Sequence, residues 1–121
     1  QINYGEGLGR YMGMNSYNGG TLDANGEINL TTQYGGLAAY RHVRNDSMHS
    51  TLGVSFSNAD NDTALSGFDV PESFQSVHAN LIWSPIERMS LGAEYIWGQR
   101  KDESGNDGTL SRIQLSAIYL Y

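Results

Sequence analysis

Apolar and polar residues alternate with period two along most of this chain. In Leu110–Tyr121, one face carries Ile113, Leu115, Ala117, Tyr119 and Tyr121, and the other carries Arg112, Gln114 and Ser116 before turning apolar at Ile118 and Leu120. Alternation sustained over that length is the signature of a strand with one face in water and one away from it. The same pattern sets Leu91, Ala93, Tyr95 and Trp97 against Gly92 and Glu94, and sets Val77, Ala79, Leu81 and Trp83 against His78, Asn80 and Ser84. Leu52, Val54 and Phe56 oppose Thr51, Gly53 and Ser55. From Ile28 to Arg41, the set Ile28, Leu30, Tyr34, Ala38 and Tyr40 opposes Asn29, Thr31, Gln33 and Arg41. The stretch Ile2 to Met14 supplies a sixth expected strand, with an alternation blurred by glycine.

The connections between these strands fall into two kinds. "NDSM" and "SPIERM" are short, whereas "SYNGGTLDANGE", "NADNDTALSGFDVPES" and "KDESGNDGT" are long and polar. They alternate along the chain, so an up-and-down meander places all the long ones at one end. Nine of the 13 acidic residues lie in the long set: Asp23, Glu27, Asp60, Asp62, Asp69, Glu72, Asp102, Glu103 and Asp107. Short turns on one side and long loops on the other are the pattern of an outer-membrane barrel wall. A soluble β-sandwich binding module also alternates apolar and polar residues. Three features favour the membrane wall. Aromatics (Trp83, Trp97, Tyr119, Tyr121) close the apolar faces, as at membrane interfaces. The opposite faces stay polar along most of each strand. Expected strand lengths of about 9 to 12 residues suit a tilted bilayer crossing.

Composition narrows the reading further. The 121 residues form a single segment, 1–121, of about one domain's length. A formal net charge of -6 excludes a generally basic nucleic-acid-binding surface. Cysteine is absent, which removes disulfides, thiolate metal sites and a cysteine nucleophile. No run of 18 or more apolar residues provides a transmembrane helix, a test to which barrel strands are blind. The chain begins with Gln and shows no signal-peptide pattern, so a mature product or a fragment is expected.

Little else in the sequence carries chemistry. Gly5-Glu6-Gly7-Leu8-Gly9 lacks the strand before and the helix after that a phosphate cradle needs, and reads instead as glycines allowing a kink or close approach in a wall strand. Asp102–Gly108 departs from a calcium loop in its glycine position and lacks the closing glutamate. His42, His49 and His78 are scattered, and no metal or cofactor is expected. His78 shares a face with Ser76 and Ser84, but no motif marks a nucleophile or an oxyanion hole, so no catalytic residue and no enzyme activity are expected. The candidate functional residues are the arginines. Arg41, Arg100 and Arg112 fall on the polar face and Arg10 is a fourth candidate of unfixed facing, all suited to guide anions or to pair with acids such as Glu94 and stiffen the wall.

Taken in order, "YGEGLGRYMG", "LDANGE", "YGGLAAYRHVRNDSMHSTLGVSFSNAD" and "NLIWSPIERMSLGAEYIWGQRKDESGNDGTLSRIQLSAIYLY" resemble the C-terminal region of the DcaP-like trimeric porins of the Gram-negative outer membrane. The last twelve residues also look like the C-terminal strand read by barrel-assembly machinery. The resemblance implies an antiparallel transmembrane β-barrel of about sixteen strands, of which this chain supplies about six. It also implies homotrimers, contact with outer-membrane lipid and lipopolysaccharide, and passive diffusion of small anions such as dicarboxylates. Six strands fall short of the smallest closed barrel, about eight. The chain is therefore expected to be the C-terminal portion of a larger barrel, or one piece of a structural barrel built from several chains.

Overall fold

The computed structural model describes residues 1–12 and 15–121. Its main element is a six-stranded antiparallel sheet in the order β1-β4-β5-β6-β7-β8, a meander in which each long strand pairs with the next in sequence. The strands are β1 Ile2–Glu6, β4 Thr32–Asn45, β5 Met48–Asp60, β6 Pro71–Ile86, β7 Met89–Asp102 and β8 Asp107–Tyr119. Two short strands, β2 Gly20–Leu22 and β3 Ile28–Leu30, form a separate hairpin, and a short helix, α1 (Thr63–Ser66), lies between β5 and β6. From β4 onward the main strands are 13 to 16 residues long. That exceeds the roughly 9–11 residues a tilted strand needs to cross a bilayer, so their ends stand beyond the apolar zone. Among the described residues no helix is long and apolar enough to cross a membrane.

Register fixes the two faces. Tyr40, Leu52, Ala79, Tyr95 and Ile113 line up across five strands, and the next row toward the short turns holds Ser50, Leu81, Ala93 and Leu115. This face is nearly all apolar, yet Leu52, Val54, Phe56, Leu81, Trp83, Tyr95, Ile113, Leu115 and Tyr119 are exposed. A β-sandwich would bury such a face against a second sheet. Here no layer among the described residues covers it, which sets the sandwich reading aside.

Several expected boundaries move. β1 ends at Glu6 instead of running to Met14, and Met14 itself lies outside the described residues. Gly7 takes a left-handed conformation (φ 68°) and starts a single 3-10 turn over Leu8–Arg10, so the glycines end the strand rather than kink it. Ile28 and Leu30 belong to the separate hairpin and not to β4, since the chain breaks pairing around Thr31. "KDESGNDGT" is no long loop: β7 and β8 continue into it and leave only the turn 103–106, with Gly105 at φ 82°. "SPIERM" shrinks likewise to Glu87–Arg88.

The two prolines, Pro71 and Pro85, lie where the β6–β7 register slips, between Pro71 and Ser73 and between Trp83 and Ile86. Proline has no N–H to give a ladder and is tolerated at such bulges. At the Asp46–Ser47 turn the Asn45 Oδ1 accepts from both the backbone N–H and the hydroxyl of Ser47, at 3.0 Å each. This local acceptor makes a two-residue reversal without a left-handed residue.

Candidate functional site: the polar face of the sheet

Opposite the apolar face, the register builds a polar one. Arg41, Thr51, Asn80, Glu94 and Gln114 form one row, and the next holds Ala39, Gly53, His78, Ile96 and Arg112. Strand period puts every one of these side chains on the side away from Leu52 and Tyr95. Local bonds tie the face together. Asn80 Oδ1 accepts from the Thr51 N–H at 3.0 Å, and the hydroxyls of Ser55 and Ser76 share a hydrogen bond of 2.8 Å. His78 Nδ1 lies 3.5 Å from Glu94 Oε1, so the acid that sequence reasoning offered to the arginines faces a histidine instead.

The four candidate arginines separate clearly. Arg41 and Arg112 are exposed on the polar face, and neither has an ion-pair partner among the described residues. They lie four strand spacings apart, about 19 Å at ~4.8 Å per strand, so they charge the face at two places instead of forming one site. Arg100 sits on the same face near the long-loop end. Its Nε donates to Asp102 Oδ1 at 2.8 Å, and its guanidinium lies 5.9 Å from the centre of the Phe74 ring. Arg10 is not on a wall strand; it closes the 3-10 turn after β1. Between the strand ends, Glu94 is the one carboxylate on this face among the described residues. Most other acids ring the long-loop end, where Lys101 Nζ holds Glu72 Oε2 at 2.9 Å.

Sequence reasoning missed a second feature of the face. Two described parts of the segment joining β1 to β2, Leu8–Met12 and Tyr17–Gly19, fold back over it. Met12 and Tyr17 belong to the small set of buried apolar residues, and Gln33 beneath them is fully buried. The Tyr17 hydroxyl shares a 2.9 Å hydrogen bond with Ser57 Oγ, and its ring stands edge-on to Phe74 at 5.4 Å. Burial pushes the Tyr17 phenol above its usual range, so it stays protonated. Gln33 Nε2 donates to the Asn18 carbonyl at 2.7 Å, while its Oε1 has no partner among the described residues. Phe74, alternating with Ser73 and Gln75, carries no sequence mark of this role. Its partners lie far away in the chain.

Two comparisons with known proteins bear on this arrangement. The structure superimposes on the crystal structure of the outer membrane channel DcaP of Acinetobacter baumannii with a TM-score of 0.76 and 22% identity. The match covers 85% of this chain but 30% of that one, so the chain spans under a third of the channel it resembles. No curated protein matches the chain. At that identity the superposition establishes the fold, that of an outer-membrane barrel wall left unclosed by six strands. The model of the DcaP outer membrane protein family matches residues 6–121, which is nearly the whole chain, and this bacterial outer-membrane protein segment therefore belongs to the DcaP outer membrane protein family.

Proposed function

We propose that the chain forms part of the wall of a water-filled channel through which small anionic solutes, dicarboxylates among them, diffuse passively. The observation that carries this reading is the pair of exposed, unneutralised guanidinium groups, Arg41 and Arg112, on a polar face whose central acid, Glu94, is turned to His78. Guanidinium stays charged at every physiological pH and offers a planar fork matched to carboxylate. The net charge of -6 does not oppose the reading, because the acids gather at the long-loop end. Apart from Glu94, they leave the middle of the polar face free.

The full assembly in this proposal is a homotrimer set in lipid and lipopolysaccharide, with the exposed apolar face meeting hydrocarbon or a neighbouring subunit. No catalytic role is proposed. His78 Nδ1 lies 3.5 Å from Glu94 Oε1, and the Ser76 and Ser84 hydroxyls share hydrogen bonds with those of Ser55 and Ser90. The test is reconstitution of the longer protein containing this segment in a planar bilayer under a salt gradient. A reversal potential favouring anions, reduced by added dicarboxylate, is expected; cation preference would remove the anionic solute from the proposal.

A further inference from the structure

The described parts of the segment after β1, on either side of residues 13–14, neither continue the wall nor reach outward from the rim. Its N-terminal part is pinned as Gly7 turns left-handed and donates its N–H to the Thr31 carbonyl at 2.9 Å, after which Tyr11 and Met12 donate to the Leu8 carbonyl at 2.8 and 2.9 Å. Its C-terminal part returns through Tyr17, seated on Ser57 and Phe74, and through Asn18 and Gly19, whose carbonyls accept from Gln33 Nε2 and from the Thr31 N–H. The two parts touch: a Cβ at Gly9 would collide with the Tyr17 carbonyl. Gly35 makes the corresponding room on the wall, since a Cβ there would lie 2.9 Å from the Met12 methyl. Gln33, Gly35, Ser57 and Phe74 all belong to the polar face, the face of Arg41 and Arg112.

We propose that these two anchored parts, Leu8–Met12 and Tyr17–Gly19, form a fixed inward strap that narrows the channel at its long-loop end and sets the largest solute admitted. The inference rests on the channel reading above. The strap is a built constriction and not a swinging lid, because each of its two parts is seated by a buried side chain, Met12 at 6% and Tyr17 at 3% exposure, while Tyr11 beside Met12 stands exposed. Such burial is lost when an element leaves its seat, whereas loops that move are drawn from regions with few buried contacts. Arg100 lies beside the seat, its guanidinium over the same Phe74 ring that Tyr17 meets edge-on, so the narrowed side of the passage is also a charged one.

Single-channel recording of the longer protein in planar bilayers tests this, with anions of graded size as probes. Tyr17→Ala removes the seat. Conductance is expected to rise by about 1.5- to 2-fold, and anions excluded from the wild-type channel are expected to permeate. Tyr17→Phe keeps the ring on Phe74 and is expected to stay near wild type. Because the chain has no cysteine, Tyr11→Cys at an exposed position of the strap gives a single thiol for a bulky reagent and leaves Tyr17 and Met12 in place. Labelling is expected to lower the conductance, as it must if the strap lies in the passage. Two outcomes overturn the proposal. One is a folded Tyr17→Ala barrel, with the shifted gel mobility of an unboiled barrel, whose conductance and size cut-off match wild type. The other is a Tyr11→Cys channel that takes the bulky reagent and conducts as before. The labelled thiol answers the question even if the alanine variant fails to fold. Cation preference in the wild-type channel would end the anionic reading and leave the strap standing.

Discussion

Arg100 directs its Nε to Asp102, whereas Arg41 and Arg112 face solvent with no carboxylate in ion-pair reach among the described residues. That difference determines which arginine a passing anion should feel most. A unit charge a few ångströms from an ion in water is worth about 1 kcal/mol, or about five-fold in local ion concentration, and salt screens it further. Arg112→Ala or Arg41→Ala is therefore expected to lower the anion-to-cation permeability ratio by about two- to five-fold. Arg88→Ala, in the opposite turn, is expected to change it less. Reversal potentials of the reconstituted channel measure both; equal values for all three variants would return Arg41 and Arg112 to a structural role. The facing of Arg112 was legible because it sits inside a long alternating strand, and that of Arg41 because Tyr34, Ala38 and Tyr40 mark the face opposite it even though the expected strand breaks at Thr31. Arg10 was not, because Gly7 and Gly9 carry no side chains to show a period and the strand ends before it.

On the scale of the element, face assignment has a sharp consequence in β8. Gln114 and Leu115 are neighbours in sequence but lie opposite Glu94 and Ala93, on different faces. Leu115→Arg is expected to destabilise the folded barrel by about 2–4 kcal/mol, the cost of a cation near the bilayer midplane. Gln114→Arg places its charge beside Glu94 in water and is expected to change stability by about 1 kcal/mol or less. Denaturant unfolding from lipid vesicles compares the two, and equal costs would refute the facing. The β2–β3 hairpin offers a second test. Its turn is organised by Asp23, whose carboxylate accepts from the N–H groups of Asn25 and Glu27 at 2.8 and 2.9 Å. These bonds, the one from Glu27 first, hold the Asp23 pKa below its ordinary value. A depressed folded-state pKa means the turn gains from ionised Asp23 above the unfolded value, ~3.9, and loses that gain as pH falls through the folded one. Amide exchange at Asn25 and Glu27 is expected to accelerate at acid pH, more steeply in wild type than in Asp23→Asn. Strand cores such as these were readable from period two. Their ends were not, as polar residues continue the β7–β8 ladder past Trp97 without any apolar mark. The strap escaped for a different reason: Tyr17 and Ser57 are 40 positions apart, and no local pattern announces a contact of that range.

The six-stranded sheet has two open edges, and together they decide how the segment can exist. β1 pairs only with the Thr32–Gly36 part of β4, and the bonds between Gln1 and Leu37 take the pairing one residue further. The far end of β4 and the whole outer side of β8 lack partners in this sheet. Roughly half the N–H and C=O groups of a strand point to each side, so the 13 residues of β8 leave about six of each unpaired. In hydrocarbon each would cost several kcal/mol, a total of tens of kcal/mol that no apolar face offsets. Closure by further strands removes this cost. The 121-residue segment expressed alone is therefore expected to refold in detergent without heat-resistant gel mobility, protease resistance or single-channel activity. The same segment within a chain long enough to close the barrel should show all three. Native mass spectrometry separates the alternative, in which copies of this sheet close on one another. A discrete oligomer of the isolated segment that conducts in bilayers would show that β8 of one copy can pair with the β1 edge and the free far end of β4 of the next. In that case the channel would be built from several chains.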